Sequence, residues 1–447
     1  MTNEKYGLIG KTLVHSYSKE IHEALGRYQY QLFSLAEDEM PDFINARDFR
    51  GLNVTIPYKK DVIPLCDEVT DLARGIGAVN TLFWKNASGA GASESISQEN
   101  KILAGHNTDY EGFLYAASRA GIDFEGKGVL ILGTGGTSLM ARRAAADQNA
   151  AKIYIASRHP ETDPPSGSEI QDAGILSTVS YDQLPEIADS IDVIVNTTPV
   201  GTFPNNMQQL IRLKDFPGCQ AVIDVIYNPF KTALLLEAKK LGLKYTNGLP
   251  MLVAQATAAA GYFLGTPGAF QKENQRIIKS MKQQMGNIVL IGMPGTGKSL
   301  IGKLLAELTG KTLQDTDAKI KEGAKMTIPE IFEKEGETGF RDRESAICKK
   351  LGKERNLIIA TGGGAILRPE NVDALRQNGT LVHITRSIDK LPTRGRPLSK
   401  NIETLKKMEA QRMPLYKAAA DITFRNNYTC SRKKLRQRVT TYILEKL

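Results

Sequence analysis

The sequence contains no apolar run approaching the roughly 18 residues that a membrane span needs. Its first residues, MTNEKYGLIG, also lack the apolar core of a secretory leader, so neither membrane insertion nor export is expected. Cysteine is scarce. Cys66, Cys219, Cys348 and Cys430 lie far apart, with no C-x-x-C pair and no adjoining histidine cluster. That spacing excludes a disulfide framework or a zinc knuckle and fits a reducing cytosol. No internal repeat is visible. What is present is ordinary for a globular protein: 41% hydrophobic and 24% charged residues, which speaks against disorder or a coiled coil. A length of 447 residues corresponds to about three domains.

The formal charge of +9 is the one unusual number, and it is unevenly placed. Residues 1–286 carry 27 Lys and Arg against 31 Asp and Glu, a net of −4, whereas 287–447 carry 31 against 18, a net of +13. The change falls where the polar stretch QKENQRIIKSMKQQM (271–285) gives way to the apolar NIVLIG. Five positive charges in SRKKLRQRV (431–439) read as the solvated face of a terminal helix. A nucleic-acid partner is the alternative for that run.

Short β-rich runs alternate with helical patterns, as in parallel α/β sheets. GVLILG (128–133), IYIAS (153–157), DVIVNTTP (192–199) and AVIDVIY (221–227) are spaced like strands of a doubly wound sheet. NIVLIG (287–292), NLIIATGGG (356–364) and TLVHITRS (380–387) form a second series, and residues 1–108 a third, less regular α/β segment. The Gly/Ala/Ser-rich stretch 85–100 is expected to be a long flexible hairpin tip.

Two glycine-rich loops carry chemistry. Gly292, Gly295, Thr296, Gly297, Lys298 and Ser299 fit G-x4-G-K-S between a strand and an amphipathic helix. Glycines there let backbone N–H groups wrap phosphates, Lys298 reaches the β- and γ-phosphates, and the Ser299 hydroxyl ligates Mg²⁺. Gly133, Gly135, Gly136 and Ser138 fit G-x-G-x-x-S, again between strand and helix, a dinucleotide loop. The next strand ends in Ser157-Arg158 rather than in an acid, and a cation there suits the 2′-phosphate of NADP.

The residues after the phosphate loop narrow its purpose. Asp315 and Asp317 end an apolar stretch, Arg341 lies in GETGFRDRE, Gly363 in a triple glycine, Arg394 and Arg396 in LPTRGRPLS, and Arg412 in RMPLY. In this order they resemble shikimate kinase over 287–430. The resemblance implies that Asp317, Arg341, Gly363 and Arg412 hold shikimate, the two arginines on its carboxylate and Asp317 on the reactive hydroxyl as proton acceptor. It also implies that Arg396 neutralises the transferred phosphoryl group and that Asp315 joins Ser299 around Mg²⁺. The lid, 386–398, is short for the family, which leaves Arg394 and the adenine pocket unassigned.

Earlier clusters are dense in small polar and ionisable groups: His15-Ser16-Tyr-Ser18, Asn53-Val-Thr55-Ile-Pro-Tyr-Lys59, Gly77-Ala-Val-Asn80-Thr and Asn107-Thr-Asp109. With Asn196-Thr-Thr-Pro-Val-Gly201, Asp224-Val-Ile-Tyr227 and Gly248…Met251…Gln255, they resemble shikimate dehydrogenase over residues 5–285. The implied roles are Ser16, Ser18, Thr55, Asn80 and Gln255 on the substrate, Tyr227 nearby, and Lys59 with Asp109 as the catalytic pair. Gly248 falls to the cofactor side. Departures are Lys19, where the family commonly has proline, the 85–100 insertion, and Ser157 in place of asparagine.

The expected architecture is α/β. A substrate lobe (about 1–108 plus 246–286) and a Rossmann-type NADP lobe (about 109–245) precede a P-loop kinase domain (287–447) with a parallel sheet. The expected protein is a cytoplasmic bifunctional enzyme of aromatic amino-acid biosynthesis. It would use NADPH, ATP and Mg²⁺ on 3-dehydroshikimate and shikimate, without nucleic-acid or membrane partners. A quinate-oxidising first half and a regulatory nucleic-acid-binding P-loop protein are the alternatives. Oligomeric state stays open.

Overall fold

A computed structural model describes residues 5–13, 16–86, 101–162, 174–391, 402–427 and 431–447. The chain divides into two compact units. One comprises Met1–Val200, Gln209–Phe230 and Glu237–Ser280, the other Gly201–Gln208, Lys231–Leu236 and Met281–Leu447.

Two sheets build the first unit. The first contains β1 (Tyr6–Gly10), β2 (Tyr30–Ser34), β3 (Gly51–Val54), β4 (Glu68–Val69), β5 (Thr81–Asn86) and β6 (Lys101–His106), in the order β2-β1-β3-β5-β6-β4. It is mixed. β1 runs parallel to β2 and β3, but β5 is antiparallel to both β3 and β6. That reversal explains why this segment reads as irregular in sequence: β5 and β6 pair directly as antiparallel neighbours, with Asn86 opposite Lys101. The hairpin tip expected between them lies outside the described residues.

The second sheet is parallel throughout. Its strands β7 (Gly128–Leu132), β8 (Lys152–Ser157), β9 (Leu176–Ser180), β10 (Val193–Asn196), β11 (Ala221–Asp224) and β12 (Lys244–Thr246) run in the order β12-β11-β10-β7-β8-β9. Val129, Ile131, Val195 and Ile223 are buried on one face against Met140, Ala141 and Ala144 of the helix Gly136–Asp147. Fully burying one such large apolar side chain contributes about 1.5–3 kcal/mol. The order reverses between β7 and β10, the switch point where open α/β sheets bind ligands at the C-terminal strand ends. Two helices join the sheets. Asp109–Arg119 leads out of β6 toward β7, and Gly248–Phe263 leads back from β12 until Phe263 packs with Tyr6 and Phe83 of the first sheet.

The second unit has one parallel sheet, β14 (Thr312–Asp315), β15 (Leu357–Ala360), β13 (Asn287–Ile291), β16 (Gly379–Thr385) and β17 (Ile422–Arg425), in that spatial order. Central β13 is buried on both faces: Val289 and Ile291 join one core, Ile288 and Leu290 the other. The basic run 431–439 lies in the helix Arg432–Tyr442, which buries Leu435 and Val439 and leaves Lys433, Lys434 and Arg436 exposed. Polar residues upstream of β13 form the helix Asn274–Met285. Its end is held by the buried Lys311, whose Nζ donates to the Gln284 and Gly286 carbonyls and to Asn356 Oδ1, each at 2.9 Å. Burial pulls the Lys311 ammonium down to about 8.

Candidate functional site

In the first unit, eight of the residues singled out in the sequence line one cavity of about 360 Å³: Ser16, Ser18, Thr55, Lys59, Asn80, Asp109, Tyr227 and Gln255. Each arrives on a fixed element. Ser18 opens the helix Ser18–Glu23, and its N–H donates to Ser16 Oγ at 3.2 Å, which sets the two hydroxyls side by side. Thr55 follows β3, and its N–H continues the ladder to the Ile9 carbonyl at 3.0 Å. Asp109 is the first residue of Asp109–Arg119, where the helix dipole favours a carboxylate. Lys59 Nζ donates to Asp109 Oδ2 at 2.5 Å, with side chains 23% and 15% exposed. This ion pair is largely desolvated yet open to a ligand.

Asn80 is oriented by its neighbours. Its Oδ1 accepts from Thr108 N–H at 2.7 Å and Thr81 Oγ1 at 2.9 Å, so its NH₂ donors are the part left for the cavity. Gln255, on Gly248–Phe263, donates to the Leu252 carbonyl at 2.9 Å. Tyr227 follows β11, with its ring edge-on to Tyr17. Sequence reasoning assigned no role to Asn53, which also lines the cavity: it accepts from Tyr30 Oη at 2.8 Å and donates to the Asn80 carbonyl at 3.2 Å. His15 lies outside the described residues.

Behind Asp109 a second polar group was also missed. Glu111 Oε1 takes His106 Nε2 at 2.9 Å and Tyr262 Oη at 3.3 Å, and His106 Nδ1 meets Thr70 Oγ1 at 2.8 Å. This set ties β6, the Asp109 helix and the Gln255 helix together. Its signal in the sequence is only a histidine and a glutamate five apart.

The dinucleotide loop sits at the switch point. Gly133 takes a left-handed φ of +102°, and a Cβ there would stand 2.8 Å from Thr198 Cγ2 at the end of β10. Only glycine meets both conditions. Gly135 caps Gly136–Asp147, and a Cβ on Gly135 or Gly136 would meet nothing within 4 Å. That open ground before a helix N-terminus fits the pyrophosphate of a dinucleotide. Arg158, exposed just beyond β8, is a cation suited to a 2′-phosphate. Ser157 is buried, and its Oγ accepts from His159 N–H at 2.9 Å. Ser138 faces inward: it is fully buried, and its Oγ accepts from Arg142 Nε at 3.1 Å, so its side chain is a packing group. Gly248 packs against the Val225 carbonyl and donates to the Ile226 carbonyl at 3.0 Å.

The second unit holds a cavity of about 670 Å³ at the C-terminal ends of β13, β14 and β15. Gly292, Gly295 and Gly297 have φ of +143°, +89° and +97°. At Gly292 any side chain would strike the Ile384 carbonyl. Thr296 is buried, with Oγ1 donating to the Met293 carbonyl at 3.0 Å. Lys298 Nζ folds over the loop onto the Gly292 and Met293 carbonyls at 2.7 and 3.1 Å. Ser299 Oγ meets Asp315 Oδ2 at 3.2 Å. A hydroxyl and a carboxylate beside a phosphate loop are the hard oxygen donors that Mg²⁺ takes.

Asp317 lines the cavity with its Oδ1 buried and unpartnered. Burial, then the charge of Asp315, raises its carboxyl above the ordinary range, while Lys298, Lys321 and Arg341 oppose the shift. Arg341 comes from Ile328–Lys353, a helix kinked at Gly336, and donates to Glu344 Oε2 at 2.7 Å and to Glu337 Oε1 at 3.1 Å. Arg412 Nη1 and Tyr416 Oη both donate to the Gly363 carbonyl, at 3.1 and 2.5 Å. The cavity therefore gathers Lys298, Ser299, Asp315, Asp317, Arg341, Gly363 and Arg412. Arg394 and Arg396 lie outside the described residues.

Sequence reasoning gave no role to Glu344, the last residue of GETGFRDRE, which is fully buried with Oε1 unpartnered and its carboxyl raised by burial. A Cβ placed on Gly362 would lie 2.6 Å from that oxygen and 2.8 Å from Asp317 Oδ1, so both lone carboxylate oxygens converge on one spot. Its spacing of three from Arg341 was the available signal.

Comparison with known proteins agrees with this division. The family model for the shikimate dehydrogenase substrate binding domain matches residues 8–82, and that for shikimate kinase matches 294–447. A shikimate dehydrogenase (NADP(+)) of Clostridium perfringens is 35% identical over 262 residues, covering 57% of this chain and 90% of the relative. A shikimate kinase of Nitrosomonas europaea is 46% identical over 145 residues, covering 31% and 69%. The crystal structure of a chorismate mutase/shikimate 5-dehydrogenase fusion protein from Clostridium acetobutylicum superposes with a TM-score of 0.54 at 32% identity. It covers 63% of this chain and 98% of that one. Joined in a single polypeptide, the chain thus belongs to the shikimate dehydrogenase family in its first part and to the shikimate kinase family in its last.

Proposed function

We propose that the chain reduces 3-dehydroshikimate to shikimate with NADPH and then phosphorylates shikimate to shikimate 3-phosphate with ATP. Residues 1–286 are assigned to the first reaction and 287–447 to the second. One observation carries the reading: a lysine–carboxylate pair faces one cavity, and the other is lined by Asp317, with a buried unpartnered carboxylate oxygen, together with Arg341 and Arg412. The first arrangement can give a proton to an oxygen, and the second can take one from it.

In the first site the Gly133 loop and Arg158 would hold NADPH, which would supply a hydride to the C3 carbonyl carbon. Lys59 gives its proton to the carbonyl oxygen as that oxygen becomes a hydroxyl, and Asp109 holds the ammonium on line. Ser16, Ser18, Thr55, Asn80 and Gln255 hold the carboxylate and the other hydroxyls, and Tyr227 lines the same cavity.

In the second site Arg341 and Arg412 grip the substrate carboxylate, the Gly363 backbone bounds the ring, and Asp317 accepts the proton of the C3 hydroxyl. The oxygen forms a bond to the γ-phosphorus as the bridging bond to ADP breaks. Lys298 and the N–H groups of Gly295, Thr296, Gly297 and Ser299 hold the phosphates, and Arg396 offsets their charge. Ser299 and Asp315 are the groups that would hold Mg²⁺, which neutralises phosphate charge when bound.

Among the described residues no helix is long and apolar enough to cross a membrane, and Cys66, Cys219 and Cys348 are free thiols. We place the enzyme in the cytoplasm, where reduced thiols, NADPH and ATP coexist. The test combines 3-dehydroshikimate, NADPH and ATP·Mg²⁺ in one reaction, with NADH and quinate arms in parallel. Shikimate 3-phosphate is the expected product, and an absence of NADPH consumption would sink the first activity.

A further inference from the structure

Among the described residues four cations line the kinase cavity, and three are already engaged. Lys298 is held by the Gly292 and Met293 carbonyls, Arg341 by Glu337 and Glu344, and Arg412 by the Gly363 carbonyl. The fourth, Lys321, makes no hydrogen bond or ion pair among the described residues. It lies on Thr316–Ala324, the helix that presents Asp317, four residues further on and so on the same face. Its charge acts on the Asp317 carboxyl. A cation left over in a site for an anionic substrate, beside the group that holds the reacting oxygen, calls for an anion that arrives there.

We propose that Lys321 is a further substrate-binding residue of the kinase, contacting the phosphoryl group as it reaches the C3 oxygen and the phosphate once it is there. This rests on the shikimate-phosphorylating reading of the same cavity. When the oxygen–phosphorus bond forms and ADP leaves, the new phosphate on the C3 oxygen carries about two negative charges on its outer oxygens, beside a buried carboxyl. Lys298 stays with the nucleotide loop, and Arg341 and Arg412 face the substrate carboxylate. Among the described cations of the cavity, Lys321 is the one left, and it stands four residues from Asp317 on the same helix face. An ammonium, with its three rotatable donors on a flexible stem, can follow a phosphoryl group in flight.

The test uses the full chain and shikimate 3-phosphate as the probe. In Lys321→Met, kinase kcat/KM for shikimate should fall about tenfold and inhibition by added shikimate 3-phosphate should weaken by a similar factor, as for loss of one charge-assisted hydrogen bond. Lys321→Arg should stay within about threefold of the parent on both counts. Dehydrogenase turnover of the same preparations and ATP affinity should not change. If the Met variant keeps both kinase values within about twofold, the proposal is overturned. Loss of ATP affinity together with turnover would mark a structural role and overturn it as well. A parent chain with no kinase turnover would instead remove the reading of the site on which this one stands.

Discussion

On the proposed function the two cavities take the same small acid by different means. Apart from the Lys59–Asp109 pair, the dehydrogenase cavity is lined by neutral donors: hydroxyls of Ser16, Ser18 and Thr55 and amides of Asn80 and Gln255. The kinase cavity is nearly twice as large and is lined with charge, with Arg341, Arg412, Lys298 and Lys321 facing Asp315, Asp317 and Glu344. The demands differ in the same way. A reductase moves one proton and must hold its substrate while one carbon changes from planar to tetrahedral. A kinase assembles several negative charges and must offset them at close range. The difference teaches that recognition chemistry follows the reaction, even when the metabolite is shared.

The comparison breaks most readily at the proton-handling groups. Lys59→Ala should lower dehydrogenase kcat by about 10²–10⁴-fold and leave kinase turnover unchanged, measured on one preparation. Asp317→Asn should lower kinase kcat by about 10²-fold or more with NADPH oxidation intact. If either variant lost both activities, the two sites would not be independent.

Binding groups come next. Arg341→Ala or Arg412→Ala should raise the kinase KM for shikimate by about 10–100-fold, since each removes a charge-assisted grip. Ser16→Ala should raise the dehydrogenase KM only severalfold, about what one neutral hydrogen bond contributes. Equal effects would erase the contrast between charged and neutral recognition.

Acid acts on stability rather than on turnover. Each unit buries a neutral histidine: burial lowers His22 to about 3 and His383 to about 4. Below the ordinary value of 6.5 the unfolded chain takes up a proton that folded His22 refuses, so stability is lost as pH falls from 6.5 toward 3. The slope approaches about 1.4 kcal/mol per pH unit. In His22→Gln the first unit should lose that share of its acid sensitivity, measured by denaturant titration at several pH values, while His383 keeps the second unit sensitive.

How much of this was legible in sequence follows from what kind of constraint made each feature. Gly133 and Gly292 were legible because a left-handed backbone at a strand end leaves only one residue type. The parallel strands β7, β8, β10 and β13 were legible because burial on both faces writes a continuous apolar run. β9, β12 and β17, at sheet edges, are less apolar, and they escaped. Lys59 and Asp109 stood out as types within motifs, but their 2.5 Å contact spans fifty residues and belongs to the fold. Glu344, Asn53 and the Glu111–His106–Tyr262 set escaped for a related reason. Their meaning lies in which oxygen is left without a partner and which helices a hydrogen bond joins, and packing decides both. Ser138 shows the converse: the position fits a cofactor motif, while the side chain serves the helix core.

Lys311 bears on how the two enzymes could be taken apart. The kinase homology begins at 294 and the apolar strand at 287, so either looks like a natural place to start an isolated kinase. Two of the three acceptors around the Lys311 ammonium, the Gln284 and Gly286 carbonyls, lie before that start, and the Met285 carbonyl also receives the Asn356 N–H. A truncation at 287 would leave a buried cation with one acceptor in place of three, a loss that costs about 1–3 kcal/mol or more. Dissection should therefore begin upstream of Met281 and carry the last turn of the preceding helix along with the domain it caps.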